Sequence, residues 1–396
     1  MQKSNLKKIK KELNNFYKLF SSRPIPLHEP DISILERKIV QKCLKENEIS
    51  SSGNYTKYFE EELKKITKSK YVIPIINGSY SLFLSMLCLP IKKNEEVLLQ
   101  NLNYIATANA ILSVGAIPHI IDNSFEDLGT DCFKLEKYLF ENTLIINNKC
   151  INKKTSRVIK AIVPMHTFGI PSDINHILKI AKKFKLEVIE DAAEGLGSSI
   201  KNKHLGTFGK IGILSFNGNK IVTSGMGGAI LTNDKRLANL IRHKSQICKI
   251  NHPWKYNYDG HGFNLKLPSI NAALGLAQLK RLNTFLIKKK KIFFIYKKFF
   301  TNSKYFDLLY KRDNTYTNNW LITLLLKKDI SNLKTKLILD FIKNKILVRP
   351  AWELLSDIKH LKNFPKMNLY NSKELFNRII NLPSGVKVLK KLRKNV

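Results

Sequence analysis

Lys220 is the residue of this sequence whose surroundings most clearly predict chemistry. An apolar run ends at Phe216, and Lys220 lies four residues further on. A turn that contains Gly225, Gly227 and Gly228 follows it. In a chain this rich in lysine, most lysines are expected to be solvated surface charges. A lysine in a tight and partly desolvated turn can instead act as an amine nucleophile toward an aldehyde.

A carboxylate ends the apolar run that comes before the Lys220 segment. Asp191 stands at the end of Leu186–Asp191, where a buried strand is expected. Pyridoxal 5'-phosphate (PLP) requires both groups, because a lysine binds its aldehyde and a carboxylate keeps its pyridine nitrogen protonated. We therefore predict that the chain binds PLP and that Lys220 and Asp191 are catalytic residues.

The phosphate of such a cofactor needs main-chain N–H groups at the start of a helix. Gly78 and Ser79 follow an apolar run and begin a helical pattern, although an ordinary helix cap would show the same residues. Gly78 allows the main chain to approach a ligand closely, and Ser79 adds a hydroxyl group. Tyr104 follows another apolar run and could stack on a pyridine ring, although a core aromatic residue is the alternative interpretation.

Short apolar runs alternate with helical patterns through the first two thirds of the chain. The predicted strands are Tyr71–Ile76, Glu96–Gln100, Ile117–Asp122, Val158–Pro164, Leu186–Asp191, Ile211–Phe216 and Gly228–Thr232. This alternation predicts an α/β fold with a largely parallel sheet that is buried on both faces. Ligands bind at the carboxyl ends of the strands in such sheets, so the groups at Gly78, Asp191 and Ser215 are expected to form one composite site.

The length of 396 residues suits a large domain and a small domain. We expect an N-terminal helical extension over residues 1–24, a large PLP-binding domain over 25–270 and a small C-terminal α/β domain over 271–396. The last assignment rests on long Lys-rich helical patterns with strands predicted at Trp320–Leu326 and Ile346–Arg349.

The net charge of +37 comes from 68 Lys and Arg against 31 Asp and Glu. Such a surplus can attract nucleic acid or an anionic membrane, but the lysines are spread along the whole chain, which is typical of a compositional bias. No apolar stretch has the features of a membrane span or an export signal, so a cytoplasmic protein is expected. The five cysteines and nine histidines show no ligand spacing, which predicts neither a disulfide framework nor a metal site.

Longer motifs carry a resemblance to a known family. They are SSSGNY, TANAILSVGAIP, PMHTFGIPSDI, SFNGNKIVTSG, GFNLKLPSINAALGLAQL and RPAW followed by NLPSG. From about Pro26 to Pro383 the chain resembles the DegT/DnrJ/EryC1/StrS family of sugar aminotransferases, and within that family the LegC-like group. The resemblance implies a type I PLP-dependent aminotransferase fold and a homodimer with shared active sites.

The resemblance also implies a role for single residues. Lys220 would bind the cofactor covalently and then move protons, Asp191 would pair with the ring nitrogen, and Tyr104 would stack on the ring. Glu194 would lie near the phenolic oxygen of the cofactor. The phosphate would be held by Gly78, Ser79 and Ser215, and by Asn264 of the neighbouring subunit. His166 and Arg349 fall in family motifs without a firm role.

The chain departs from the family pattern at two places. The family usually has Asn-Tyr-Arg where this chain has Asn264-Leu265-Lys266, and the LegC-like group usually has a run of glycines where Met226 stands. Neither departure involves Lys220 or Asp191, so the reaction class is expected to stay the same, and differences are expected at the substrate end or in the turn.

The function implied by the resemblance is transfer of an amino group from glutamate to a nucleotide-linked 4-keto-6-deoxy sugar, in the biosynthesis of a legionaminic-type or related surface glycan. One alternative is an aminotransferase of the perosamine synthase type, which acts on GDP-linked 4-keto-6-deoxymannose. Another is a PLP-family sugar dehydratase, but such enzymes carry His at the position of Lys220. A regulatory or nucleic-acid-binding protein would need clustered basic residues, and here the charge is diffuse.

Overall fold

The computed structural model describes residues 2–310 and 313–393. The helices are α1 (Gln2–Tyr17), α2 (Ile34–Lys45), α3 (Tyr55–Thr67), α4 (Gly78–Cys88), α5 (Ile105–Ser113), α6 (Cys132–Asn142), α7 (Ile174–Phe184), α8 (Lys235–Ser245), α9 (Ser269–Lys280), α10 (Leu282–Phe300), α11 (Lys334–Lys343) and α12 (Tyr370–Arg378). The strands are β1 (Tyr71–Ile75), β2 (Glu96–Gln100), β3 (Ile117–Ile121), β4 (Thr143–Ile146), β5 (Lys149–Asn152), β6 (Val158–Val163), β7 (Glu187–Asp191), β8 (Ser199–Ile200), β9 (Lys203–His204), β10 (Ile211–Ser215), β11 (Gly228–Thr232), β12 (Lys249–Ile250), β13 (Asn257–Tyr258), β14 (Phe306–Leu308), β15 (Thr315–Tyr316), β16 (Ile322–Leu326) and β17 (Ile379–Leu382).

The main sheet has the strand order β1-β11-β10-β7-β6-β2-β3, and the hairpin β4–β5 extends it from β6. The strands from β10 to β3 in this order are parallel to one another, whereas β11 runs antiparallel to both β1 and β10. The predicted α/β class and type I fold are confirmed, and the sheet is mixed. The segment 216–227 between β10 and β11 contains no helix, and a parallel connection usually requires one.

The central strands are covered by helices on both faces. Every residue of β2, β10 and β11 is buried, and this explains why these strands appear in the sequence as continuous apolar runs. Several covering helices begin at a side chain that accepts a hydrogen bond from the main chain of the first turn. These caps are Asn77 for α4, Asp131 for α6, Asp173 for α7 and Asp234 for α8.

A second hydrophobic core lies around α10 and the antiparallel sheet β14-β16-β17. The helix α1 belongs to this core, because Ile9, Leu13 and Phe16 are fully buried. The ring of Phe16 lies 5.1 Å from the ring of Tyr296 in α10. Burial of each such side chain stabilises the fold by roughly 1.5–3 kcal/mol. The N-terminal helix is therefore an integral part of the folded chain.

One expected strand in the C-terminal part is not formed. The segment Ile346–Arg349 makes only isolated bridges, from Ile346 to Ile25 and from Arg349 to Asn381. Pro350 explains the interruption, since proline has no N–H to donate and restricts the residue before it.

Within the described residues, no helix has the length and apolar character needed to cross a membrane.

Candidate active site

A cavity of about 250 Å³ lies at the carboxyl ends of β7 and β10, next to the start of α4. Seven of the predicted site residues line this cavity: Gly78, Ser79, Tyr104, Asp191, Glu194, Ser215 and Lys220. Residues that are more than one hundred positions apart in sequence thus meet at one sheet edge, as expected for this class of fold.

Lys220, which is partly buried, and Glu194, which is buried, form an ion pair inside the cavity. The Nζ of Lys220 lies 2.9 Å from Oε1 of Glu194, and Oε2 of Glu194 accepts a 2.8 Å hydrogen bond from the main-chain N–H of Phe168. Burial raises the pKa of Glu194, and the positive charge of Lys220 opposes this shift. Both carboxylate oxygens are occupied, so the amine of Lys220 is held at one place in the cavity wall.

Asp191 is buried at the end of β7 and is oriented by two donors. The hydroxyl of Thr107 donates to Oδ2 over 2.8 Å, and the main-chain N–H of Ala193 donates to Oδ1 over 3.2 Å. Each carboxylate oxygen can accept more than one hydrogen bond. The carboxylate can therefore still accept a hydrogen bond from a ligand in the cavity.

The opposite end of the cavity is formed by the first turn of α4 and the end of β10. A Cβ added to Gly78 would lie 3.0 Å from Cβ and 3.2 Å from Oγ of Ser215, so the two segments are in close contact. Ser79 and Ser215 both line the cavity, so their hydroxyls are accessible to a ligand there. Hydroxyls next to the N–H groups of a helix N-terminus are suited to binding an anion.

Aromatic side chains form a third wall. Tyr104 is about half exposed and lies 6.0 Å from Trp352, ring to ring. Trp352 in turn lies 4.9 Å from Phe168, and Trp320 also lines the cavity. Sequence reasoning missed Trp320 as a site residue, because it appears only as the start of an apolar run. Trp352 belongs to the RPAW motif, and that motif could have identified it as a site residue from the sequence.

The residues present fit PLP. The cavity offers an amine for the aldehyde, a carboxylate that can hold a proton at the ring nitrogen, and a helix N-terminus with the hydroxyl of Ser79, joined by that of Ser215 from the end of β10, for the phosphate. This fold and this cavity define a PLP-dependent enzyme of fold type I.

Comparison with known proteins identifies the family. The model of the DegT/DnrJ/EryC1/StrS aminotransferase family matches residues 30–396. The GDP-perosamine synthase of Escherichia coli O157:H7 is 37% identical over 69% of this chain and 71% of its own length. The GDP-perosamine synthase of Vibrio cholerae is 30% identical over 91% of this chain and 94% of its own.

A solved structure shows the same fold. Helicobacter pylori PseC, an aminotransferase involved in the biosynthesis of pseudoaminic acid, superposes with a TM-score of 0.82 at 23% identity, over 91% of this chain and 94% of that chain. The chain belongs to the DegT/DnrJ/EryC1/StrS aminotransferase family, and it is a PLP-dependent aminotransferase.

Three residues singled out from the sequence lie outside the cavity lining. Asn264 is exposed on the surface of the chain. His166 is buried beneath the site, where its Nε2 lies 3.1 Å from Glu190. Arg349 is exposed and pairs through its main chain with Asn381.

Of the two departures from the family pattern, Met226 lines the active-site cavity.

Lys266, the other departure, lines a separate surface cavity with Arg242 and Glu60. Burial lowers the pKa of Lys266, the neighbouring Arg242 lowers it further, and Glu60 opposes the shift. The side chain of Lys266 is therefore in a different environment from the amine of Lys220.

The absence of a metal site stays a prediction. His243, Cys248 and Asp259 have potential ligand atoms within 4.8 Å of one another. The contact between His243 Nε2 and Asp259 Oδ1 is a 2.5 Å hydrogen bond, which by itself explains the proximity of these two residues. All five cysteines are buried, and none of them forms a disulfide bond within the described part of the chain.

Lys220 is expected to be the lysine that binds the cofactor. Borohydride reduction of the purified protein, followed by peptide mass spectrometry, should find the cofactor mass on the Lys220 peptide. Lys220→Ala should abolish turnover, because no other lysine among the described residues lines the cavity. Lys210→Ala is the matched control, since Lys210 lies nearby in sequence but pairs with Glu187 at the surface. Labelling of a different lysine would contradict the assignment.

Asp191→Asn should lower kcat by about three orders of magnitude or more, which corresponds to roughly 4 kcal/mol of barrier. The amide is similar in size but cannot stabilise a proton on the ring nitrogen. Circular dichroism and the melting temperature should remain close to those of the unmodified protein. Near-normal turnover in this variant would show that Asp191 does not have the assigned role.

Proposed function

We propose that the protein transfers the amino group of glutamate to C4 of a nucleotide-linked 4-keto-6-deoxy sugar. The observation that carries the proposal is the chemistry of the cavity wall. Aromatic rings and the amides of Asn217 and Asn219 line it, and Lys220 is its only cationic residue among those described. A transaminase specific for dicarboxylates would use arginines to bind two carboxylates, whereas aromatic and amide side chains suit a sugar ring.

The proposed roles follow from the contacts of each side chain. Bound PLP supplies the carbonyl carbon that carries the amino group between the two substrates. The amine of Lys220 would hold the cofactor and would move a proton to and from the substrate carbon. Asp191 holds a proton at the ring nitrogen, and Glu194 orients the Lys220 amine from 2.9 Å. Ser79 and Ser215 bind the phosphate.

The nucleotide has two candidates. The resemblance to the LegC-like group favours a UDP-linked derivative of N-acetylglucosamine, and the product would serve a legionaminic-type or related surface glycan. The names of the Escherichia coli and Vibrio cholerae relatives favour a GDP-linked sugar as the second candidate. The two candidates share the 4-keto-6-deoxy ring and differ in the base, which would extend beyond the cavity described above.

We further propose that the enzyme is a homodimer in which Asn264 completes the site of the partner. Asn264 is exposed and does not line the cavity of its own chain. The preceding hairpin exposes large aromatic side chains, with Trp254 at 75% and Tyr256 at 77% exposure. An apolar surface of this kind is typical of an interface.

A competition assay tests the substrate class. The enzyme is incubated with glutamate and equal concentrations of UDP-, GDP- and dTDP-linked 4-keto-6-deoxy sugars and oxaloacetate, and mass spectrometry identifies the product that gains an amine. We expect the UDP sugar to react fastest. Preference for the GDP or dTDP sugar would overturn only the nucleotide assignment. Faster turnover of oxaloacetate than of every sugar would overturn the substrate class.

Mixed dimers test the shared site. A dimer of one Lys220→Ala chain and one Asn264→Ala chain should recover about half of the normal activity, since one of its two sites then contains both native residues. A dimer of Lys220→Ala with Asp191→Asn is the control and should stay inactive, because both substitutions affect the cavity of their own chain. Equal activities of the two mixtures, or an active monomer by light scattering, would contradict the proposal.

A further inference from the structure

Trp320 contacts Lys220 in two separate ways. The Nζ of Lys220 lies 4.1 Å from the centroid of the indole ring, and Nε1 of Trp320 donates a 2.7 Å hydrogen bond to the main-chain oxygen of Asn219. One side chain therefore contacts both the catalytic amine and the peptide group that precedes it. Indole is the aromatic side chain that attracts a cation most strongly.

The main chain of Trp320 is itself held by side chains. Its N–H donates to Oδ1 of Asn318 over 2.8 Å, and its carbonyl oxygen accepts a 2.6 Å hydrogen bond from the hydroxyl of Ser384. Asn319, which lies between Asn318 and Trp320 in sequence, has a φ of +51°. Asn adopts this left-handed conformation more readily than most residues other than glycine, and the contacts on either side of Asn319 fix the segment.

Lys289 supplies the remaining contacts from within α10. Its side chain is 0% exposed, and its Nζ donates hydrogen bonds to the carbonyl oxygens of Asn319 (2.9 Å), Trp320 (3.1 Å) and Ser384 (2.7 Å). Burial lowers the pKa of Lys289, yet three donated bonds require the ammonium form. The three carbonyl dipoles are what stabilises this charge.

Burying a lysine side chain costs free energy, because its charge must be removed from water. Lysine is almost never fully buried unless it is paired, and an apolar side chain of similar volume is often as stable or more stable. Two of the three partners of Lys289 belong to the segment that carries Trp320. The bonds of Lys289 are therefore concentrated on the main chain that places the indole on Lys220.

We propose that Lys289 and Trp320 are positioning residues for Lys220. Lys289 fixes the main chain of Asn319 and Trp320, and the indole of Trp320 then holds the Lys220 amine against Glu194. The inference rests on Lys220 being the reactive amine of the proposed function. It does not depend on which sugar or nucleotide the enzyme accepts.

Reductive methylation of the full-length, cofactor-free protein measures the reactivity of Lys220 without turnover. Trp320→Leu should raise the methylation rate of Lys220 at neutral pH roughly 2- to 30-fold, the range that corresponds to the loss of one cation–π contact. Trp352→Leu is the matched control, because that indole lines the same cavity but contacts Tyr104 and Phe168. The methylation rate of Lys220 should stay unchanged in Trp352→Leu.

Trp320→Phe keeps a weaker aromatic face and should give a smaller increase in the same direction. It provides the measurement if Trp320→Leu does not fold. Equal increases in the Trp320 and Trp352 variants would show that only the opening of the cavity matters, and this would overturn the role of Trp320. Methylation unchanged in both Trp320 variants would overturn it as well.

Lys289→Met tests the second residue in the PLP-loaded enzyme. It should lower kcat about tenfold or more, in line with the loss of hydrogen bonds from a charged donor. Tyr296→Phe is the control in the same helix, since the hydroxyl of Tyr296 donates to the carbonyl of Pro383 and not to the Trp320 segment. We expect its kcat to remain normal. Ser384→Ala removes one bond to Trp320 without changing a buried charge, and it should give a smaller loss than Lys289→Met.

The double variant Lys289→Met/Trp320→Leu separates a positioning role from an independent effect of the Lys289 charge. If Lys289 acts through Trp320, the double variant should have the same kcat as Trp320→Leu alone. Additive losses, or equal losses in Lys289→Met and Tyr296→Phe, would overturn the proposal. If every substrate fails to react while the methylation results hold, the proposed function is wrong and the positioning of Lys220 stands.

Discussion

The insertion of β11 between β1 and β10 is the constraint on which the site depends. β11 is hydrogen-bonded to both strands, so the end of β1 and the end of β10 are kept one strand apart. A Cβ at Gly228 would lie 2.5 Å from the main-chain carbon of Asn77. The chain can approach the start of α4 so closely only because residue 228 is glycine. The hydroxyls of Ser79 and Ser215 thereby face one cavity.

The second requirement is that charges are buried without being left unpaired. Glu194 is almost fully buried, and it is compatible with the fold because Lys220 and the N–H of Phe168 occupy its two oxygens. Phe168 has a left-handed φ of +58°, which aims its N–H at the carboxylate. Local backbone strain is thus balanced by a charge-assisted hydrogen bond. A charged side chain also contacts the main chain at Asn319, where Lys289 donates a hydrogen bond to the carbonyl oxygen.

The aromatic wall connects the large core to the C-terminal part of the chain. Trp320 and Trp352 come from segments that follow the long helix α10 in sequence, yet both border the cavity built by the main sheet. The cavity residues contributed by the main sheet are therefore joined by side chains from beyond residue 300. A site of this kind is sensitive to how the C-terminal segments pack, because the amine of Lys220 lies directly against one of these rings.

Much of the fold was predictable because buried strands leave a local signal. The runs Glu96–Gln100 and Gly228–Thr232 have the predicted bounds, and the other predicted strands of the main sheet differ by a residue at an end. Helix α7 begins directly after its cap Asp173, a residue type that favours this position. The meeting of Gly78, Asp191, Ser215 and Lys220 was also predictable, since residues that follow parallel strands converge at one sheet edge.

The direction of β11, the interruption at Ile346–Arg349 and the contacts of Lys289 could not be predicted in this way. An apolar run shows that a strand is buried but not which way it runs. Lys289 stands among Lys288, Lys290 and Lys291, and nothing in that run distinguishes the one ammonium that points inward. Burial of a charge is decided by partners far away in sequence, here the carbonyls of Asn319, Trp320 and Ser384. Periodicity is a property of neighbouring residues, whereas these contacts exist only after the chain has folded.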